Sequence, residues 1–251
     1  YVQMFRDFKV IWLPLAFMFL GATQPVVTYY LPTILAALGG NQGITIDPSM
    51  LQQDGAQVMA ATLGSQFDQL GIMIIVIAMM GIIQSDKANG MLDFILTRPV
   101  KVGSYIGGKI FSNFSIVAIS VTLGYIVSYV YVNFLFSNIP FRDMVLAIIF
   151  YQLWVLFMIS FTSMISTIFN GQGVIALISI VCLLMFKIIS GLHPIIDLVN
   201  PAGMSQHAVM VLITGSIDSH LYGNMFITFI WITIIVMFSH YWISAKKYHK
   251  N

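Results

Sequence analysis

The sequence predicts an all-α membrane protein: six transmembrane helices, with both chain ends on the cytoplasmic side. Three observations predict it. The first is composition. Of 251 residues, 59% are apolar and only 8% are charged, against about 25% charged in a soluble domain. The second is the spacing of the charges, which leaves gaps long enough to cross a bilayer core at about 20 residues each. The third is their asymmetry. Arg6, Lys9, Lys87, Arg98, Lys101, Lys109, Lys246, Lys247 and Lys250 all fall on one side of such a six-span chain, and Arg142 alone on the other. Basic connections stay cytoplasmic.

The elements follow in order. Between Lys9 and Asp47 lie 37 uncharged residues, enough for one span over roughly 11–35 and a polar tail. Pro14 and Pro25 fall inside it and are expected to kink it, which neighbouring helices make tolerable. Its apolar run exceeds that of a signal peptide and no small-residue cleavage site follows, so it is read as a retained helix. Trp12 and the Tyr29–Tyr30 pair stand about 26 Å apart along a helix, as two interfacial anchors should. A second apolar run covers roughly 69–85, and the weakly apolar stretch before it allows a start near Val58. The 32 uncharged residues between Lys109 and Arg142 predict a third, longer span. The 43 between Asp143 and Lys187 would stretch about 65 Å as one helix, twice the core thickness. They therefore predict a hairpin of two spans turning at residues 169–173, FNGQG. The sixth span is expected over about 224–243.

Composition also excludes classes. A net charge of +2 gives no basis for binding nucleic acid. The single cysteine, Cys182, excludes a disulfide framework and gives no metal cluster. His193, His207 and His220 are spaced 14 and 13 apart, which matches no metal motif. An intramembrane enzyme would need a nucleophile–base pair, paired aspartates or a HExxH helix, and none occurs. A secondary transporter would want several buried ionisable groups, where only Lys187 and Asp68 qualify.

The cytoplasmic connection between spans two and three holds the densest signals. Met91, Leu92, Ile95 and Leu96 share one side of a short helix, with Asp93 and Thr97 on another. Arg98-Pro99 ends it, because a proline disfavours helix at the residue before it. Further on, Gly103 and Gly108-Lys109 have the spacing of a phosphate-binding P-loop. The match fails because Ile110 replaces the Ser or Thr that holds magnesium, and because a membrane span follows instead of a soluble helix. Lys109 is instead expected to snorkel to the inner headgroups.

The same stretch resembles another pattern. Gly90, the helix residues Met91, Leu92, Ile95 and Leu96, then Arg98, Pro99, Val100, Gly108 and Lys109 leading into a span are similar to ABC-2 type transporter permeases. Asp86 and Lys87 stand where members often carry a glutamate. Within the family, the Ile-, Met- and Phe-rich style is similar to the staphylococcal permeases that export phenol-soluble modulins.

The resemblance implies a bacterial plasma-membrane subunit that moves hydrophobic or amphipathic cargo outward, such as a peptide, drug or lipid-like molecule. It implies that the chain binds no cofactor and that separate cytosolic ATPase subunits hold ATP and magnesium. Met91, Leu92, Asp93, Ile95, Leu96, Arg98, Pro99 and Lys101 would then form the coupling helix and its flank, docking on such a subunit. Phe5, Arg6, Phe8 and Lys9 would belong to an N-terminal elbow helix lying in the inner interface. A second permease subunit, identical or related, would complete the pathway. The segment 192–223 would be a broken helix pair capping the outer exit. The rival readings are a secondary transporter and an ABC-2 permease of a copper-maturation system, to which the 16 methionines could belong, although methionine more often fills gaps.

Two charges remain. If span two begins near Val58, Asp68 reaches a depth similar to Lys187, and the two are expected to pair as outer-gate charges. Separate snorkelling of each is the alternative.

Overall fold

A computed structural model describes residues 8–39, 54–97 and 101–248, and every regular element among them is a helix. Six helical segments are long and apolar enough to cross a membrane, as the charge spacing predicts. The elbow residues Phe5 and Arg6 and the connection residues Arg98 and Pro99 lie outside the described residues.

The first span occupies Lys9–Gly39 and continues through Pro14, Pro25 and Pro32. Phe8 sits in the turn before it, at a left-handed φ of 54°. Lys9, expected on the elbow, instead opens the span. The third span, Val102–Leu135, begins earlier than expected, so Lys109 lies in its second turn and not at its start. The two spans meet backbone to backbone at Gly21 and Gly124. A Cβ on Gly21 would lie 1.9 Å from the carbonyl oxygen of Gly124, and one on Gly124 would lie 2.3 Å from that of Phe17. Small residues permit such approaches between membrane helices.

The second span is longer than the apolar run at 69–85. It runs from Gly55 to Ala88 in pieces: an α-helical turn Gly55–Ala61, a π-helical stretch Thr62–Gly71, then α-helices Ile72–Met79 and Gln84–Ala88. Hydropathy hides its outer third because TLGSQFDQLG is half polar. Two of those polar groups are satisfied by protein, the Thr62 hydroxyl by Ser128 at 2.9 Å and the Asp68 carboxylate by Tyr151 at 3.1 Å. Asp54 precedes the span and accepts a hydrogen bond from the Ser137 hydroxyl, joining its start to the connection after span three.

Span four, Phe141–Ile168, is the centre of the bundle and buries Tyr151, Trp154, Val155 and Met158 completely. Its buried Ser160 and Thr162 donate to the carbonyls four residues back at 2.8 Å, which hides hydroxyls that would otherwise be orphaned. The predicted hairpin turn leads into span five, Gln172–Ile189. That span exposes Leu177, Met185 and Ile188, side chains suited to lipid.

The segment before span six is a broken helix pair, Pro194–Val199 and Gly203–Thr214, and not a plain loop. The second helix buries Met204, Ser205, Ala208, Val211 and Leu212, so it is part of the bundle. The corner between the two is held by Asn200, whose side-chain amide donates to the Phe186 carbonyl at 2.6 Å. Asn224, in span six (Leu221–Tyr248), donates to carbonyls of Asp197, Leu198 and Asn200 at 2.6, 3.0 and 2.9 Å.

Candidate functional site

The chain concentrates its polar chemistry at two places, one near each end of the bundle.

The inner place is the base of the connection between spans two and three. Asp86 is buried and receives the Lys109 ammonium at 2.8 Å and the Tyr105 hydroxyl at 2.5 Å. Lys109 is therefore an ion-pair partner, not a side chain that merely snorkels. The Lys87 ammonium donates to the carbonyls of Thr167 and Phe169 at 3.1 and 2.6 Å. Gln84 donates to the Asn170 carbonyl at 2.8 Å. The Ser166 hydroxyl accepts from the backbone N–H of Gln84 at 2.9 Å. The end of span two is thus bolted to the turn between spans four and five, on the side where the basic residues cluster. Sequence spacing could not pair Asp86 with Lys109 across 22 intervening residues, although both stood out as charges.

The helix Met91–Thr97 stands beyond this base, after Gly90 at a φ of 68°, a left-handed conformation natural to glycine. Met91 and Phe94 are 52% and 55% exposed, whereas Leu92 is only 8% exposed. The apolar face offered outward is therefore Met91 and Phe94, three residues apart. Leu92, expected on the docking face, points into the chain. Ile95 is half-buried and Lys101 exposed. The side chains of Asp93 and Leu96 lie outside the described residues. Asp86→Asn is expected to cost about 1–2 kcal/mol of local stability. That is a roughly 5- to 30-fold rise in opening, read as faster tryptic cleavage after Lys101, since the Arg98–Pro99 bond resists trypsin.

Gly103 to Lys109 lies within a helix that begins at Val102, where no strand-to-helix turn presents backbone amides to a phosphate. An inner cavity of about 650 Å³ lies beside it, with Lys9, Lys109, Asn113 and Gln172 over an apolar wall of Ile77 and Ile82.

The outer place is buried. Asp68 and Lys187 do pair, the ammonium lying 2.5 Å from Asp68 Oδ2, with the aspartate side chain 0% and the lysine side chain 18% exposed. Ser205 donates to the same Asp68 oxygen and accepts from Lys187 at 3.0 Å. The Tyr151 hydroxyl donates to Asp68 Oδ1 at 3.1 Å. Four elements meet here: the π stretch of span two, span four, span five and the outer helix Gly203–Thr214. Every acceptor of the aspartate has a donor, which is what a carboxylate inside a membrane requires. Tyr151 and Ser205 carry no local sequence signal, since every span holds a tyrosine or a serine.

On the outer side of this cluster lies a cavity of about 700 Å³ lined by Lys187, Leu198, His207, Met210 and Asp218 among others. The backbone N–H of His220 donates to Asp218 and holds its carboxyl below the usual range. Burial pushes His207 the other way from its charged form, below its ordinary value. Its Nδ1 lies 3.8 Å from Asp218, whose charge works against that shift. Among the described residues no three His, Cys, Asp or Glu side chains are placed to hold one metal ion.

Six candidate spans, a connection bolted at its base and a broken helix pair before the last span are now placed, and comparison of the sequence with known families covers nearly the whole chain. A family model described as "ABC-2 family transporter protein" covers residues 2–242. The chain belongs to the ABC-2 family of transporter proteins. It is also 30% identical over 239 residues to the uncharacterized transmembrane protein YxlG of Bacillus subtilis strain 168, across 95% of this chain and 92% of that protein. As an ABC-2 transporter protein, the chain is a multi-pass membrane component of a transporter.

Proposed function

We propose that this ABC-2 protein is the membrane subunit of an ATP-driven exporter in a bacterial plasma membrane. Two such chains, identical or related, enclose one pathway. Separate cytosolic ATPase subunits grip each chain at Met91–Lys101 and supply the motion. The observation that carries this reading is the cytoplasmic helix itself. It presents Met91 and Phe94 outward from a base fixed by the Asp86–Lys109 pair and by Lys87. A docking knob must be apolar enough to bind and rigid enough to transmit force. The mixed polar and apolar wall of the inner cavity suits an amphipathic cargo, such as a peptide or lipid-like molecule, entering from the cytoplasmic leaflet.

The test is co-purification with a candidate ATPase carrying an intact GxxxxGK[ST] motif. Burying one Met or Phe side chain contributes about 1.5–3 kcal/mol. The double variant Met91→Asp, Phe94→Asp is thus expected to lose about a hundredfold or more in affinity, while the chain alone stays monodisperse in detergent. Equal recovery with wild type and double variant would remove the docking assignment. Cargo movement that follows a proton or sodium gradient without ATP would identify a secondary transporter instead.

A further inference from the structure

The buried Asp68 cluster has a feature that simple packing does not require. Asp68 lies in a ten-residue π-helical stretch. π-helical geometry is rare, occurs mostly as single turns, and is frequent at functional sites. The outer helix rests directly on this stretch. A Cβ on Gly64 would lie 3.0 Å from Val209, so the glycine is what lets the two approach. The same helix enters the ionic cluster through Ser205, which touches both charges. The outer cavity begins at Lys187 and is walled by that helix through His207, Met210 and Ile213.

We infer that Asp68, Lys187, Ser205 and Tyr151 form a latch that holds the outer helix Gly203–Thr214 closed, and that slippage of Thr62–Gly71 from π into α register releases it. The geometry is simple. One residue of register turns a helical side chain by about 100°. Such a turn takes the Asp68 carboxylate off Lys187, Ser205 and Tyr151 together. The lysine lines the outer cavity and gains water there, so opening leaves its charge solvated. The closed state keeps both charges paired away from lipid. The role of this latch as an exit gate rests on the export reading above, whereas the latch itself does not.

The experiment uses the full chain in lipid nanodiscs with no ATPase present, so its outcome is independent of export. Cys182→Ser removes the native thiol. Val211→Cys then reports on the buried face of the outer helix, where Val211 is 2% exposed, by its rate of reaction with a charged maleimide. Asp68→Asn is expected to speed that labelling at least about tenfold. Ser205→Ala, a milder change, should give a smaller rise in the same direction. Deletion of Ser65, which takes one residue out of the π stretch, should match Asp68→Asn. A second reporter, Ala78→Cys near the inner end, should label at its unaltered slow rate in all three. Unchanged Val211→Cys labelling in Asp68→Asn and Ser205→Ala would overturn the latch. Equal acceleration at both reporters would also overturn it, since that is general loosening. Slow labelling in the Ser65 deletion would overturn the register mechanism.

Discussion

Gly124→Val is expected to yield no folded protein, and Gly124→Ala and Gly21→Ala to lose about 3 kcal/mol or more each. The usual cost of overpacking is about 1–3 kcal/mol, because side chains and backbone shift to make room. At this crossing nothing soft is available. The atoms in the way are the carbonyl oxygens of Gly124 and Phe17, at 1.9 and 2.3 Å from the built Cβ positions. A backbone carbonyl in a helix cannot move without breaking its own hydrogen bond, so the spans must separate. Span one would then lose its place against Phe67, whose ring meets Phe17 edge-on at 5.3 Å. The control is Gly107→Ala in the same helix, where an added Cβ meets nothing within 4 Å. That change should be neutral, or stabilising by up to about 1 kcal/mol through helix propensity. Thermal unfolding of the three alanine variants in one detergent decides the matter. Similar melting temperatures for all three would show that the two spans do not pack as described.

The second large effect is expected at Asn224. Its side chain is completely buried and its amide nitrogen serves three carbonyls, those of Asp197, Leu198 and Asn200. The Asp197 and Leu198 carbonyls are groups left unpaired where the short helix Pro194–Val199 ends, whereas the Asn200 carbonyl also accepts from the Gly203 backbone N–H at 2.9 Å. Asn224→Leu has similar volume and removes the donor. Each buried acceptor left unsatisfied costs about 1–3 kcal/mol, so about 2 kcal/mol or more is expected for the two carbonyls, Asp197 and Leu198, that lose their donor. Asn224→Asp should be worse, although it is nearly isosteric, because it turns an acceptor toward three acceptors. Hydrogen exchange through Ile195–Thr214 reads the effect locally. Faster exchange there, in the order wild type, Asn224→Leu, Asn224→Asp, is the expected result. An aspartate variant as protected as wild type would mean that the amide does not cap this corner.

Both predictions rest on residues whose importance the linear sequence conceals. Gly21 and Gly124 are two of 19 glycines, and nothing near either one marks it as a helix crossing. Asn224 follows a loop and reads as an ordinary polar residue at a membrane edge. By contrast, the spans themselves were legible, because a bilayer core imposes a minimum apolar length and charges interrupt such lengths visibly. The exception was the outer part of span two. TLGSQFDQLG falls below the apolar threshold, yet Thr62, Leu63, Phe67 and Asp68 are buried in protein, and Thr62 and Asp68 find partners in Ser128 and Tyr151. A hydropathy reading assumes lipid contact and so underestimates a central helix. The short helix Met91–Thr97 was legible in position but not in face. The sequence placed Leu92 on one side with Met91, whereas the chain turns Leu92 inward and Phe94 outward.

The sequence by itself determined the number of spans and the place of the short helix between spans two and three. Each depends on composition counted along the chain and on the cost of placing charge in lipid. Only the tertiary structure decided which polar groups meet. Asp68 could face lipid headgroups or a lysine 119 positions away, and the primary sequence is compatible with either. Packing of the outer helix and of span five against span two brings Ser205 and Lys187, respectively, to the carboxylate. In a medium without water, a buried charge takes whichever partner the fold delivers.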